Sequence, residues 1–299
     1  MINKISNLKL ILGLVLLGLV YLVVVYFDSP KSAELERELV SIDTAKVTSI
    51  AIEDDDETVL LFKEPTGWEV ALASGTRVTA KSDKVQSLLV DLLNIQADRL
   101  AAKQESKWPD YGVDSAGVSV KVMEGNKVGL DMVVGQVGTS NYIRLAGETE
   151  VYASDQFKGL KGQDQINSYR NNTFVEMATD SVETINFTYP ADSSFQLIHS
   201  ADGWAIDAVA ADSTKVSDYL RLLKLKYSND FSGQDGNSLG AQIAQITITP
   251  KDQAPVTLTA YRDNADSVVF QSSVNPETFF RDESIGSDFF VSKYQLLNP

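Results

Sequence analysis

The run from Leu10 to Phe27, LILGLVLLGLVYLVVVYF, carries no charge and no proline. A helix rises about 1.5 Å per residue, so such a run would span roughly 27 Å, against about 30 Å for the hydrocarbon core of a bilayer. It is apolar on every face and stands at the N-terminus, which reads as a transmembrane helix rather than a buried core helix. Lys4 and Lys9 precede it; Asp28, Glu34, Glu36 and Glu38 follow it, diluted by Lys31 and Arg37. The positive-inside tendency then places the N-terminus in the cytoplasm and the rest of the chain outside. Val25-Tyr26-Phe27 does not resemble the small-residue site where signal peptides are cut, and Lys31-Ser32-Ala33 carries a charge where a small residue is needed, so an uncleaved anchor is favoured. The expected location is the bacterial inner membrane, single-pass, with the bulk of the chain extracytoplasmic. Residues 28–45 read as a juxtamembrane linker.

Composition narrows the function classes. The chain has 299 residues, 26 Lys+Arg against 41 Asp+Glu, and a formal charge of −15. That balance repels nucleic acid and anionic membrane surfaces, and no basic stretch offsets it. Hydrophobic content of 43% supports a packed core. There is no cysteine, so disulfides, thiolate metal sites and a lipidated cysteine are excluded.

After the linker the pattern turns to strands. Ile50 and Ile52 alternate with small or polar residues, an acidic turn 53–57 follows, and Val59 to Phe62 returns as a second strand of a hairpin. Gly67-Trp68 opens a third strand. Ser82 stands as a cap, and Val85, Leu88, Leu89 and Leu92 fall on one helical face. The same order recurs further on. Val182-Glu-Thr-Ile185 echoes Val47-Thr-Ser-Ile50, and Asp202-Gly203-Trp204 echoes Thr66-Gly67-Trp68. Ser213-Thr-Lys215-Val216 echoes Ser82-Asp-Lys84-Val85. Leu239-Gly240 with Ile246 and Ile248 echoes Tyr111-Gly112 with Val118 and Val120, and Phe290-Val-Ser292 echoes Tyr152-Ala-Ser154. The fold class expected is therefore α+β: an N-terminal transmembrane helix, then two tandem copies of a mainly antiparallel-sheet unit with one principal helix each, over 46–175 and 176–299.

A search for chemistry returns little. His199 is the single histidine and shares a strand face with Phe195 and Leu197, which reads as structural. Gly236-Asn237-Ser238-Leu239-Gly240 matches G-x-S-x-G, but polar loop precedes it, strand follows it, and no histidine comes later, so it is not a nucleophile elbow. The acids of 53–57 diverge along a turn and do not converge on a cation. No catalytic residue, metal site or cofactor is assigned. Trp68 and Trp204 open equivalent strands and read as core anchors. Trp108-Pro109-Asp110-Tyr111-Gly112 has no tryptophan or proline counterpart in the second copy, so Trp108, Tyr111, Asp114, Tyr142 and Arg144 stand as a candidate surface for a partner or ligand.

Tyr111-Gly112-Val113-Asp114, Gly135, Asn141-Tyr142-Ile143-Arg144, Val151-Tyr152 and Tyr169-Arg170 together resemble the bacterial domain of unknown function family number 4340, over about residues 46–250. Val113 departs from the leucine more usual there. The resemblance implies a membrane-anchored envelope protein associated with ABC-type transporters of the gliding-motility auxiliary kind, with no catalytic residues to carry over. The expectation is a non-enzymatic module with transporter subunits as protein partners. The alternative is a glycan or peptidoglycan-fragment binding module, holding its ligand in a groove between the copies with Trp108, Tyr111 and Tyr142 as stacking surfaces.

Overall fold

Two-residue alternation builds the first sheet of this computed structural model, which describes residues 37–54, 57–160, 165–233, 239–263 and 267–297. In β2 (Val47–Glu53), Val47, Ile50 and Ile52 are buried while the residues between them face outward. β3 (Thr58–Glu64) turns back along it, pairing Ile50 with Leu61 and Ile52 with Val59. β1 (Arg37–Glu38), β4 (Gly67–Ala71), β5 (Arg77–Thr79), β6 (Gln96–Ala97), β7 (Arg99–Ala102), β8 (Val118–Glu124), β9 (Lys127–Val137), β10 (Ser140–Leu145) and β11 (Val151–Ser154) complete the first unit. Its nine-stranded sheet runs β5-β4-β3-β2-β8-β9-β10-β11-β7. Helix α1 (Ser82–Leu93) lays Val85, Leu88, Leu89 and Leu92 into the core that this sheet shelters. Each fully buried leucine there contributes about 1.5–3 kcal/mol.

A four-residue helix, α2 (Ile166–Tyr169), leads into the second unit. Its strands are β12 (Thr173–Glu176), β13 (Val182–Thr188), β14 (Phe195–Ser200), β15 (Gly203–Ile206), β16 (Val209–Ala210), β17 (Leu225–Tyr227), β18 (Gln242–Pro250), β19 (Val256–Arg262), β20 (Val268–Ser272) and β21 (Asn275–Phe280). The second sheet runs β16-β15-β14-β13-β18-β19-β20-β21, the strand order of the first sheet from β5 to β11. Helix α3 (Ser213–Lys224) buries Val216, Tyr219 and Leu223, the positions matching Val85, Leu88 and Leu92. The ladder β7–β11 of the first sheet reduces in the second to a single bridge, Phe231 to Phe280. The short pair β1–β6 likewise has its match in β12–β17. The chain ends on α4 (Glu283–Phe289) and α5 (Lys293–Leu296), which have no counterpart among the described residues of the first unit.

The register revises two of the sequence echoes. Ile50 pairs with Val122 and Ile185 with Ile248, so the partners of Ile246 and Ile248 are Val120 and Val122, not Val118 and Val120. Tyr152 sits opposite Ile143 as Phe280 sits opposite Phe270, so Phe280 matches Tyr152, and Phe290 lies beyond, past α4. Leu39, Val40 and Ile42, placed by sequence in a linker, are buried in the first core, where Phe174 and Val175 lie in the second.

The expected fold class is corrected in two respects. The α+β class expected, with one principal helix per mainly antiparallel unit, gives way to a described chain that is mostly antiparallel sheet, with helices of twelve residues or fewer. No helix among the described residues is long and apolar enough to cross a membrane, and the run 10–27 expected to do so lies outside them. Ser82, expected as a cap, is the first helical residue, and Lys81 holds the N-cap position, as Asp212 does before Ser213.

The two units meet along the edge of the first sheet. Ala80 bridges Arg170, the Lys81 amide donates to the Tyr169 carbonyl (2.7 Å), and the Thr79 amide donates to Glu277 Oε2 (3.2 Å). Asn275 Nδ2 donates to the Asn171 carbonyl (2.9 Å). Arg170 is 5% exposed with its guanidinium over the Phe231 ring at 3.9 Å, and burial lowers its pKa to about 10.

Candidate functional site

The loop after β7 winds into a 3₁₀ helix, Glu105–Tyr111, and ends on Gly112 at φ 63°. Left-handed backbone suits glycine because a Cβ there meets the following carbonyl. The loop then presses onto β9. A Cβ on Gly135 would stand 2.1 Å from the Tyr111 carbonyl oxygen, so only glycine admits this approach. Tyr111-Gly112 and Gly135 are thus two halves of one contact, far apart in sequence.

That contact gathers four of the five candidate surface residues. The Arg144 guanidinium lies over the Trp108 ring at 3.9 Å, and Tyr111 and Tyr142 pack with centroids 4.7 Å apart. Trp108, Tyr111 and Tyr142 belong to a satellite cluster with Val113, Val151 and Ala153, apart from the main core. Their polar atoms are spent on the backbone. Arg144 Nε donates to the Val113 carbonyl (2.9 Å), Trp108 Nε1 to the Thr149 carbonyl (3.1 Å), and the Tyr111 hydroxyl to the Ala101 carbonyl (3.1 Å). A hydrogen bond from Arg99 to Tyr142 raises the arginine's pKa against desolvation. Asp114 stands aside from these rings and accepts the Ala116 amide in a local turn (3.3 Å). Trp108, Tyr111, Tyr142 and Arg144 therefore brace the loop against the sheet. As packed, their faces are covered by one another rather than offered to a sugar ring.

The structure draws attention to a different place. His199 and Trp204 face each other across the β14–β15 ladder and stack with centroids 4.6 Å apart at 19°. His199 is exposed and Trp204 only half-buried, whereas Trp68, its match in the first unit, is 7% exposed. The pair lines a groove of about 320 Å³ with Thr179, Asp180 and Val182, closed on its other side by α3 through Ser217, Leu220, Arg221 and Lys224, so two cations and one carboxylate face it. In the first unit the positions of His199, Arg221 and Lys224 are held by Lys63, Val90 and Leu93, and Leu93 packs against the core. The second unit has thus exchanged two aliphatic helix residues for cations beside an open aromatic pair, in a chain of formal charge −15. The Arg221 guanidinium reaches Asp218 (2.9 Å) from a largely exposed position, so solvent screens that pair and it remains available for exchange. Sequence reading missed this groove because alternation put His199 on the core face with Phe195 and Leu197; the strand outruns the core there, and the face opens to solvent. The available signal was the cation spacing of Arg221 and Lys224 on α3.

A second depression, about 460 Å³, lies between the units and is lined by Lys81, Asp83, Asn172 and Tyr227 among others. Trp108, Tyr111 and Tyr142 do not line it. Burial lowers the Lys81 pKa there. Gly236 to Ser238 and the middle of the acidic turn, Asp55 and Asp56, lie outside the described residues. Among the described residues no three histidine, aspartate or glutamate side chains gather as a metal site would require.

Comparison with curated proteins finds no match, and neither does comparison with solved structures. The sequence profile of a domain of unknown function (DUF4340) matches residues 68–260. The match opens at Trp68 in β4 and closes in β19, so it takes in the braced loop and the groove of the second unit. With most of its length matched, the chain belongs to the DUF4340 family.

Proposed function

We propose that this chain is a non-enzymatic accessory protein of the bacterial envelope, acting on the extracytoplasmic side of the inner membrane by binding a protein partner. The partner class is a subunit of an ABC-type transport or gliding-motility-related complex. The observation that carries the reading is the groove of the second unit. Two units share one strand order, yet only the second leaves its strand-opening tryptophan half-open, stacked on His199 and flanked by Arg221 and Lys224. Such a surface suits a polypeptide segment with an acidic side chain beside an apolar or aromatic one, because stacking and cation contacts are both on offer. The packing of Trp108, Tyr111 and Arg144 supports a scaffold role for the candidate surface expected from sequence. The apolar run 10–27, with lysines before it and acids after it, supports the membrane location.

The test is crosslinking in membranes followed by purification in mild detergent. Transporter permease or ATPase subunits should co-purify with the wild-type chain and be lost with Trp204→Ala combined with Arg221→Glu. A chain that emerges alone under these conditions contradicts the reading.

A further inference from the structure

Beneath the Tyr111-Gly112 loop, on the face of the first sheet away from the braced aromatics, lies a cavity of about 530 Å³. Val118, Val134 and Leu160 give it an aliphatic wall, and Gln136, Asn141 and Gln165 give it three side-chain amides. Asn141 is the unusual one. It is 5% exposed, and its Nδ2 donates to the Phe157 carbonyl (2.6 Å). That bond fixes which way the amide points. Its Oδ1 is buried with no hydrogen-bond partner in the protein. A buried carbonyl without a donor is costly, so such atoms in native folds call for an explanation. Its neighbour across the β10–β11 ladder, Ser154, is 1% exposed and its hydroxyl also lacks a partner.

The Phe157 bond accounts for the Asn141 Nδ2 and leaves its Oδ1 unexplained. Asn141 pairs with Gln136 on β9; the matching pair in the second unit is Val268 with Arg262 on β19. The duplicated strand therefore folds with valine at this position. Gly159 packs close on the far side of the oxygen, where a Cβ would stand 2.7 Å from Asn141 Oδ1, so a larger residue there would crowd it. The first unit has a buried, unpartnered acceptor on a residue that lines an apolar-walled cavity, in a place where its twin has a hydrocarbon.

We propose that this cavity binds a secondary amide. Its N–H donates to Asn141 Oδ1, its carbonyl is met by the side-chain amides of Gln136 or Gln165, and the methyl or side chain attached to it lies against Val118, Val134 and Leu160. The described lining carries no lysine or arginine and one carboxylate, Asp54, which disfavours an anion and leaves an amide as the group that the three side-chain amides and the aliphatic wall match. Two sources carry this chemistry, an N-acetylated amino sugar and a peptide. This inference is independent of the partner groove in the second unit.

The full chain in mild detergent is titrated with an N-acetylglucosamine tetramer and, separately, with an acetylated trialanine amide, followed by saturation-transfer NMR and thermal shift. Binding of the sugar alone identifies the glycan source, and binding of the peptide alone the peptide source; either supports the site. Asn141→Leu should weaken the bound probe about tenfold or more, and N-methylating the probe amide should do the same by removing its donor. Ala116→Trp, at an exposed position on the cavity wall, should block binding while leaving circular dichroism and the unfolding midpoint unchanged. It keeps the test decisive if Asn141→Leu does not fold. No binding of either probe up to about 10 mM, or binding indifferent to both substitutions and to N-methylation, overturns the proposal.

Discussion

At the scale of single residues, Tyr219 and Tyr189 are the groups whose titration the fold most resists. Burial raises both phenols above their ordinary 10.0, and each donates to a backbone carbonyl, Tyr219 to that of Phe289 (3.2 Å) and Tyr189 to that of Val291 (2.8 Å). Below about pH 10 both phenols keep their protons folded or unfolded, and their contribution is complete. Above it the unfolded chain loses protons that the native state holds, so stability falls as pH rises. Arg170 works in the opposite sense. Its pKa is lowered to about 10, so above that pH the native state sheds a proton that the unfolded chain keeps, and the cost of burying its charge is relieved. Two phenols oppose one guanidinium, and urea unfolding is expected to show a net loss of stability from about pH 9 to 11. Tyr219→Phe and Tyr189→Phe should each flatten that slope; an unchanged slope in both would contradict the burial account. Gly135→Ala belongs to the same scale. It sets a Cβ against the Tyr111 carbonyl and should destabilise the chain by about 3 kcal/mol in urea titration, with the tryptophan fluorescence of the Trp108 loop changing first.

At the scale of elements, the two helices are the same length but start differently. Asp212 caps α3 by accepting the amides of Thr214 (2.9 Å) and Lys215 (3.1 Å), while Lys81 before α1 offers no side-chain cap. Asp212→Ala should cost about 1 kcal/mol, and Lys81→Ala close to nothing, in equilibrium unfolding. What the sequence made legible at this scale was periodicity. The alternation of Ile50 with Ile52 and the face formed by Val85, Leu88, Leu89 and Leu92 are local patterns, and the burial of those residues follows from them. What stayed hidden depends on partners across the sheet. Trp68 and Trp204 open matching strands, yet one is buried and the other half-open, because the strand opposite brings Lys63 to one and a stacking His199 to the other. Trp108, Tyr111, Tyr142 and Arg144 were recognisable as a group. Whether they grip or brace is decided by the carbonyls of Val113, Thr149 and Ala101, which no local pattern locates. The orphan oxygen of Asn141 was equally invisible, since it arises from where the Phe157 carbonyl and Gly159 fall.

At the scale of the whole molecule, duplication explains why one chain can carry differentiated surfaces on a common scaffold. The strand order is repeated, the main cores are separate, and the junction is held by backbone bridges and by Asn275. Freed from reproducing the same outer residues, the first unit holds an amide-lined cavity and the second an aromatic groove with cations. The duplicated helix also supplies an internal control for the partner claim. Position 217 lies on the groove, and position 86 is its match on α1; both are exposed. The most direct measurement places a photo-crosslinking amino acid at Ser217 or at Gln86 of the full chain in native membranes. Adducts with a transporter subunit are expected from position 217 and not from position 86. Equal adducts from both positions, or none from 217, would contradict partner binding through the second unit.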